Sequence, residues 1–278
     1  MGVFKLRIGI VITFTGLAGL SVSTGPSLSL AQLITLALAL LISSASAGAF
    51  NQYYEHDVDP LMSRTRKRPF ATGEVQHHPL WLAVIGALIV LSVGAAWIAL
   101  NAWAALFVFL GAFFYAVVYT MWLKRRTWLN IVIGGLAGSW AVLAGATAAD
   151  PHVGALPLAL ALVLFLWTPP HFWSLAIAFR EDYEAAGIPM LPVVVGDQRA
   201  ARIIFVSTLA LVAASMLPLA FGLGIIYFAG AAAGGFLFIQ KAWRLLQNTN
   251  RETAMICFHA SLAQLTLLLT ATIIDARF

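Results

Sequence analysis

Asn51, Glu55 and Asp59 stand four residues apart in the run Asn51-Gln52-Tyr53-Tyr54-Glu55-His56-Asp57-Val58-Asp59. On a helix that interval lines three oxygen-bearing side chains along one stripe. Hard divalent cations take oxygen ligands, and Mg2+ commonly binds through one or two carboxylates together with substrate phosphates and water. Two carboxylates held this close repel each other unless a cation lies between them. Asp57 points to the opposite face and ranks lower as a ligand. The same spacing also suits a helix end with solvated carboxylates, so spacing alone leaves both readings open.

Basic residues follow at once, in Arg64-Thr65-Arg66-Lys67-Arg68-Pro69, and recur in Lys124-Arg125-Arg126. Guanidinium groups grip phosphate oxygens in pairs, so acids next to a basic cluster suit a metal–diphosphate. The competing reading is the positive anchor beside a membrane span. Arg180-Glu181-Asp182-Tyr183 offers Asp182 as a second metal face, but the acid that would complete an i, i+4 pair is replaced by Ala186. In Trp167-Thr168-Pro169-Pro170-His171-Phe172-Trp173 the two prolines predict a local break in the helix. His171 there could face a planar aromatic substrate, ligate iron, or bond a carbonyl freed at the kink. His259 reads as a packing or lipid-interface residue.

The elements that must position these groups are membrane spans. Of 278 residues, 61% are hydrophobic and 10% charged, against roughly 25% charged in a soluble domain. Runs of about 20 apolar residues span a bilayer, and nine are present, near 8–23, 31–50, 79–98, 102–122, 130–149, 155–179, 203–221, 223–243 and 254–274. They lack the alternation of a β-barrel. The expected fold is therefore an all-α bundle of about nine transmembrane helices in a single domain over residues 1–278.

With nine spans, every basic residue except Arg277 falls on one side, which the positive-inside rule makes cytoplasmic. The N-terminus is then inside, the C-terminus outside, and the first run is a span rather than a cleaved signal. The formal net charge of +5 reads as topology and anionic-lipid contact, not nucleic-acid binding. The lone Cys257 forms no intrachain disulfide. Eight of the eleven acids lie in two long cytoplasmic loops, 51–78 and 180–202, expected to cap a cavity. Each loop follows the second helix of a four-helix set, which hints at a parallel repeat. Gly134, Gly135 and Gly138 predict close helix packing.

Taken in order, Asn51–Asp59, Arg64–Pro69, Tyr119-Thr120 with Leu123–Thr127, Asn130–Gly135, Thr168–Trp173 and Asp182–Val194 resemble the UbiA-type intramembrane prenyltransferases. The Pro-Pro-His-Phe-Trp and Gly-Ile-Pro-Met-Leu-Pro-Val-Val runs resemble its haem-modifying branch. That resemblance implies transfer of a farnesyl group from farnesyl diphosphate to a vinyl group of protohaem IX in a bacterial inner membrane, with Mg2+ as cofactor and a downstream haem A enzyme as a candidate partner. It places Asn51, Glu55, Asp59 and Asp182 at the metal, with Lys124 beside them in catalysis. Arg64, Arg68, Arg125, Arg126, Tyr119, Tyr183 and His171 fall to the substrates. Tyr115, Tyr119 and Trp167 are candidate aromatic faces for an allylic cation. Two departures from the family pattern, at 139–146 and at Met121-Trp122, bear on the acceptor pocket. A related prenyltransferase with a quinone precursor as acceptor is the neighbouring reading. A transporter would carry its ionisable residues near the bilayer midplane, whereas these acids sit at helix ends and in loops.

Overall fold

The computed structural model describes residues 2–276 and contains helices and no strand among them; Arg277, the basic residue expected outside, lies beyond the described residues. Nine long helices appear in chain order among the described residues: α1 Leu6–Ser21, α2 Leu30–Tyr54, α3 Leu80–Ala99, α4 Ala102–Leu123, α5 Asn130–Ala149, α6 Ala155–Ala178, α7 Asp197–Ala220, α8 Ile225–Gln247 and α9 Arg251–Asp275. Eight are long and apolar enough to cross a membrane, and α1 is a shorter apolar helix of 16 residues. In hydrocarbon each backbone group must find its partner within the segment, and a helix meets that condition.

Polar residues at the helix starts set the boundaries. Ser29 and Gln32 form a reciprocal capping box on α2, and Asn250 does the same with Thr253 on α9. Asn101 caps α4 by accepting from the Ala104 amide and ties it to α5 by donating to the Thr147 carbonyl at 2.6 Å. At the same end of the bundle, Asp275 of α9 accepts from the amides of Gly224, Ile226 and Tyr227, closing the first turn of α8.

The tightest helix crossing is between α1 and α5. A Cβ added at Gly145 would strike the Gly16 carbonyl, and one at Gly19 would strike the Val142 carbonyl. The small residues that let these backbones touch are thus Gly16, Gly19 and Gly145. The trio at 134, 135 and 138 meets the expectation of close packing at two of its positions. Gly134 makes room for the Tyr119 ring and Gly135 for Thr168, while Gly138 faces open space.

Two local irregularities matter for the site. The C-terminal half of α4, Phe114–Leu123, is a π-helix, in which the Lys124 amide reaches back five residues to the Tyr119 carbonyl at 2.9 Å. Such insertions cluster at functional sites. The expected break at Pro169-Pro170, by contrast, is absent, because α6 runs through both prolines. Proline's fixed φ is itself helical, and the bonds and contacts it disturbs are tolerated in a span where neighbouring helices and Ser or Thr hydroxyls cover the backbone. The segment is held on the buried side of the bundle, where Thr168 and Ser174 hydroxyls bond the Leu164 and Pro170 carbonyls at 3.0 and 2.7 Å. His171 therefore bonds no freed carbonyl.

Candidate active site

The regular part of α2 ends at Tyr54, yet its hydrogen-bond ladder carries on: the Glu55 amide bonds the Asn51 carbonyl and the Asp59 amide bonds the Glu55 carbonyl, at 3.0 and 2.9 Å. Asn51, Glu55 and Asp59 therefore keep one stripe although Asp59 already opens a short 3-10 turn, Asp59–Leu61. All three side chains are buried. Asp57 leaves the stripe and forms a two-pronged exposed ion pair with Arg125, at 2.7 and 2.8 Å, which holds its carboxyl below the usual range.

Each oxygen of the stripe meets a cation. Lys124 donates to Glu55 Oε1. Arg68 Nη1 lies 2.7 and 2.9 Å from the two Asp59 oxygens and 3.5 Å from Glu55 Oε2. Lys5 donates to Asn51 Oδ1 at 2.7 Å and to the Tyr115 hydroxyl at 3.1 Å, while the Asn51 amide donates to Thr120 at 3.1 Å. Burial pushes the Glu55 carboxyl up, but Lys124, Lys5 and Arg68 outweigh it and hold Glu55 below the ordinary range. At Asp59 burial wins over Arg68, and the carboxyl is raised. Lys5 is held well below the ordinary amine value by burial and by Arg68, against the pull of Glu55.

The second loop closes over the first. Asp182 accepts from Ser63 Oγ at 2.7 Å and from the Arg64 amide at 3.4 Å, and Arg64 reaches the Tyr183 hydroxyl at 3.3 Å. Asp182 thus braces the segment that carries Arg64 and Arg68. Among the described residues no three acidic, histidine or cysteine side chains converge as a metal cage, so a cation here would need oxygens from the substrate as well. The donor set suits Mg2+ in that sense. It offers two buried carboxylates, and Glu55 Oε2 is sealed from solvent without a hydrogen bond. Burial disfavours the Lys5 charge, but Arg64, Arg68 and Lys124 still outnumber Glu55 and Asp59, and the surplus positive charge calls for an anion such as a diphosphate.

Tyr115 and Tyr119 stack with centroids 5.9 Å apart at this cluster. The ammonium groups of Lys5 and Lys124 each stand 5.8 Å from a ring centroid, over Tyr115 and Tyr119 respectively. Trp167 lies elsewhere, stacked on His171 at 4.1 Å. Arg125 and Arg126 are exposed and stay outside the buried cluster; Arg125 covers the Tyr54 ring instead. His259 is exposed on the outer face of α9. Sequence reading missed Lys5 and Thr120 as site members. Lys5 stands 46 residues from its Asn51 partner and was fully accounted for as a topology signal, so no local pattern marked it.

The pattern of the UbiA prenyltransferase family matches residues 12–265. The chain is 55% identical to protoheme IX farnesyltransferase 2 of Paramagnetospirillum magneticum, covering 98% of this chain and 95% of that one. It is 45% identical to protoheme IX farnesyltransferase 1 of the same organism, over 99% and 96%. Its fold resembles a UbiA homologue of Aeropyrum pernix K1, with TM-score 0.81, 22% identity and 99% of each chain covered. It also resembles a UbiA homologue of Archaeoglobus fulgidus bound to DMAPP and Mg2+, with TM-score 0.70 and 18% identity over 95% and 97% of the two chains. From its motifs, its fold and these likenesses together, the chain belongs to the UbiA prenyltransferase family.

Proposed function

We infer that this multi-pass membrane protein transfers the farnesyl group of farnesyl diphosphate to a vinyl group of protohaem IX. The observation that carries the reading is the cluster of half-buried Lys5 and Arg64 with buried Arg68 and Lys124 around the buried carboxylates Glu55 and Asp59, sited where loops 51–78 and 180–202 meet. The full-length likeness to proteins named protoheme IX farnesyltransferase supplies the acceptor.

Charge develops on the diphosphate oxygens as the C1–O bond of the prenyl donor breaks. Lys5, Arg64, Arg68 and Lys124, already gathered at the site, stabilise that charge. In exchange, Lys124 and Arg68 move from carboxylate to phosphate oxygens. Mg2+, held by Glu55 and Asp59 with Asn51, would supply further charge neutralisation on the leaving group. The faces of Tyr115 and Tyr119 shield the allylic cation, and the closed loops keep water away until it has formed a carbon–carbon bond to the terminal vinyl carbon. The cation left beside the porphyrin then takes a water molecule and releases a proton, giving the hydroxyethylfarnesyl product. We place the chain in the bacterial cytoplasmic membrane as one domain, with both long loops and the N-terminus on the cytoplasmic side, where diphosphate and metal are supplied. A haem A enzyme acting on the product would stand next in the sequence.

The test is a product assay on purified protein in lipid, with protohaem, farnesyl diphosphate and Mg2+, read by mass spectrometry. Farnesylated hydroxyethyl haem that disappears with chelator is expected. Diphosphate release only with a quinone-type acceptor would move the protein to another branch of the family.

A further inference from the structure

His171 sits apart from the diphosphate cluster, seven residues back from the end of α6, a depth of about 10 Å at the helical rise of 1.5 Å per residue. Its ring is clamped between two aromatic faces: Trp167, 4.1 Å away at 20°, and Phe258 of α9, 4.5 Å away at 25°. Trp167 in turn donates its indole N–H to the Ser261 carbonyl at 2.9 Å, so the ring and its clamp are fixed to one turn of α9.

The hydrogen bonds decide which ring nitrogen carries the proton. Ser261 Oγ lies 2.6 Å from the Phe258 carbonyl, which can only accept, so the single hydroxyl proton of Ser261 goes there. The contact between Ser261 Oγ and His171 Nδ1, also 2.6 Å, must then be Nδ1–H donating to Oγ. The neutral ring therefore presents Nε2 as a bare lone pair. A histidine kept for packing would have both nitrogens satisfied. Here Nε2 has no hydrogen-bond partner among the described residues and is not one of the sealed polar atoms, so on this buried ring it keeps a small accessible face. A clamped imidazole, with Nδ1–H committed to an oxygen and Nε2 free, is the arrangement by which proteins orient a metal-ligating histidine.

We propose that His171 Nε2 ligates the iron of the porphyrin acceptor, and that Ser261 is the positioning residue that fixes its tautomer. This rests on the function inferred above and extends it to how the acceptor is held. Ligation fixes the iron against the α6–α9 seam and leaves the vinyl edge of the macrocycle free to turn toward the prenyl cation. It also gives the enzyme a reason to prefer metallated over metal-free porphyrin.

The experiment uses the full chain in lipid nanodiscs with ferric protohaem, followed by electron paramagnetic resonance and resonance Raman spectroscopy. Wild type is expected to show imidazole ligation. His171→Ala should lose that signature and regain it with added imidazole. His171→Met should replace it by a thioether signature, and His77→Ala, a control for surface histidines, should leave it unchanged. Ser261→Ala should keep the ligand but weaken haem binding about 10–100-fold. In turnover, wild type should favour protohaem over metal-free protoporphyrin by KM, a preference that His171→Ala erases. An unchanged imidazole signature in His171→Ala, or equal KM values for the two porphyrins in wild type, overturns the proposal while the farnesyl transfer reading stands. Wild type that farnesylates neither porphyrin overturns both.

Discussion

Asp59 has no exposed surface and shares both oxygens with one Arg68 nitrogen, so its carboxylate answers to the cluster alone. Asp59→Asn keeps the shape and removes the charge. Loss of one preorganised electrostatic contact costs about 10²–10³ in turnover, and kcat for farnesylated product should fall by that amount in protein that still elutes as a folded species on size-exclusion chromatography. Lys5→Met should act mainly on the donor, raising KM for farnesyl diphosphate more than it lowers kcat, in steady-state kinetics at saturating haem. Glu55 carries a pH signature. Its folded pKa lies below the usual value, so its ion pairs add stability above the ordinary carboxylate value of about 4.3, and that contribution is lost as pH falls through the depressed folded value. The melting midpoints of wild type and Glu55→Gln should differ at pH 7 and converge in acid; a constant gap across pH would remove the ion pairs as its cause. At this scale the stripe was legible in the sequence because i, i+4 spacing survives even where the helix tightens into a 3-10 turn. Lys5 was illegible because its partner is remote in the chain and its charge had a sufficient topological explanation. The Pro-Pro pair misled because a membrane span tolerates prolines where its neighbours cover the helix.

The π-helical half of α4 places Tyr115, Tyr119 and Lys124 on one side of the cluster. Thr120, whose hydroxyl bonds the Tyr115 carbonyl at 2.8 Å, accepts from Asn51. An α-helix turns about 100° per residue, so removing one residue from Phe114–Leu123 would restore regular winding and swing the tyrosines away from Lys124. Deletion of Val117, which is exposed, should give folded protein that fails to turn over. A helical circular dichroism spectrum with full activity would show that the irregular winding is dispensable. The α1–α5 crossing tolerates no side chain at Gly145, and Gly145→Leu should lose folded protein on size-exclusion chromatography in detergent. The glycine pattern at 134–138 caught the eye in the sequence, but which glycines touch depends on how two helices cross. That is a tertiary property no single helix encodes.

Across the whole molecule, the number and limits of the helices were readable because a bilayer imposes one length on every apolar run, and the charged loops punctuate them. The meeting of loops 51–78 and 180–202, through Ser63, Asp182, Arg64 and Tyr183, was foreseen only as a cap, without its partners. Cys257 is buried and the sole cysteine, so a Cys257→Ser background allows topology mapping. A cysteine at Lys67 should react with a membrane-impermeant thiol reagent only in inverted vesicles, and one at His152 only in right-side-out cells. The surplus of cations over carboxylates has one more consequence. Inorganic diphosphate carries more negative charge than its prenyl ester, so the site that eases departure of the leaving group also retains it. Clearance of the by-product should then limit turnover: added pyrophosphate should compete with the prenyl donor, and a soluble pyrophosphatase in the reaction should relieve the slowing of progress curves.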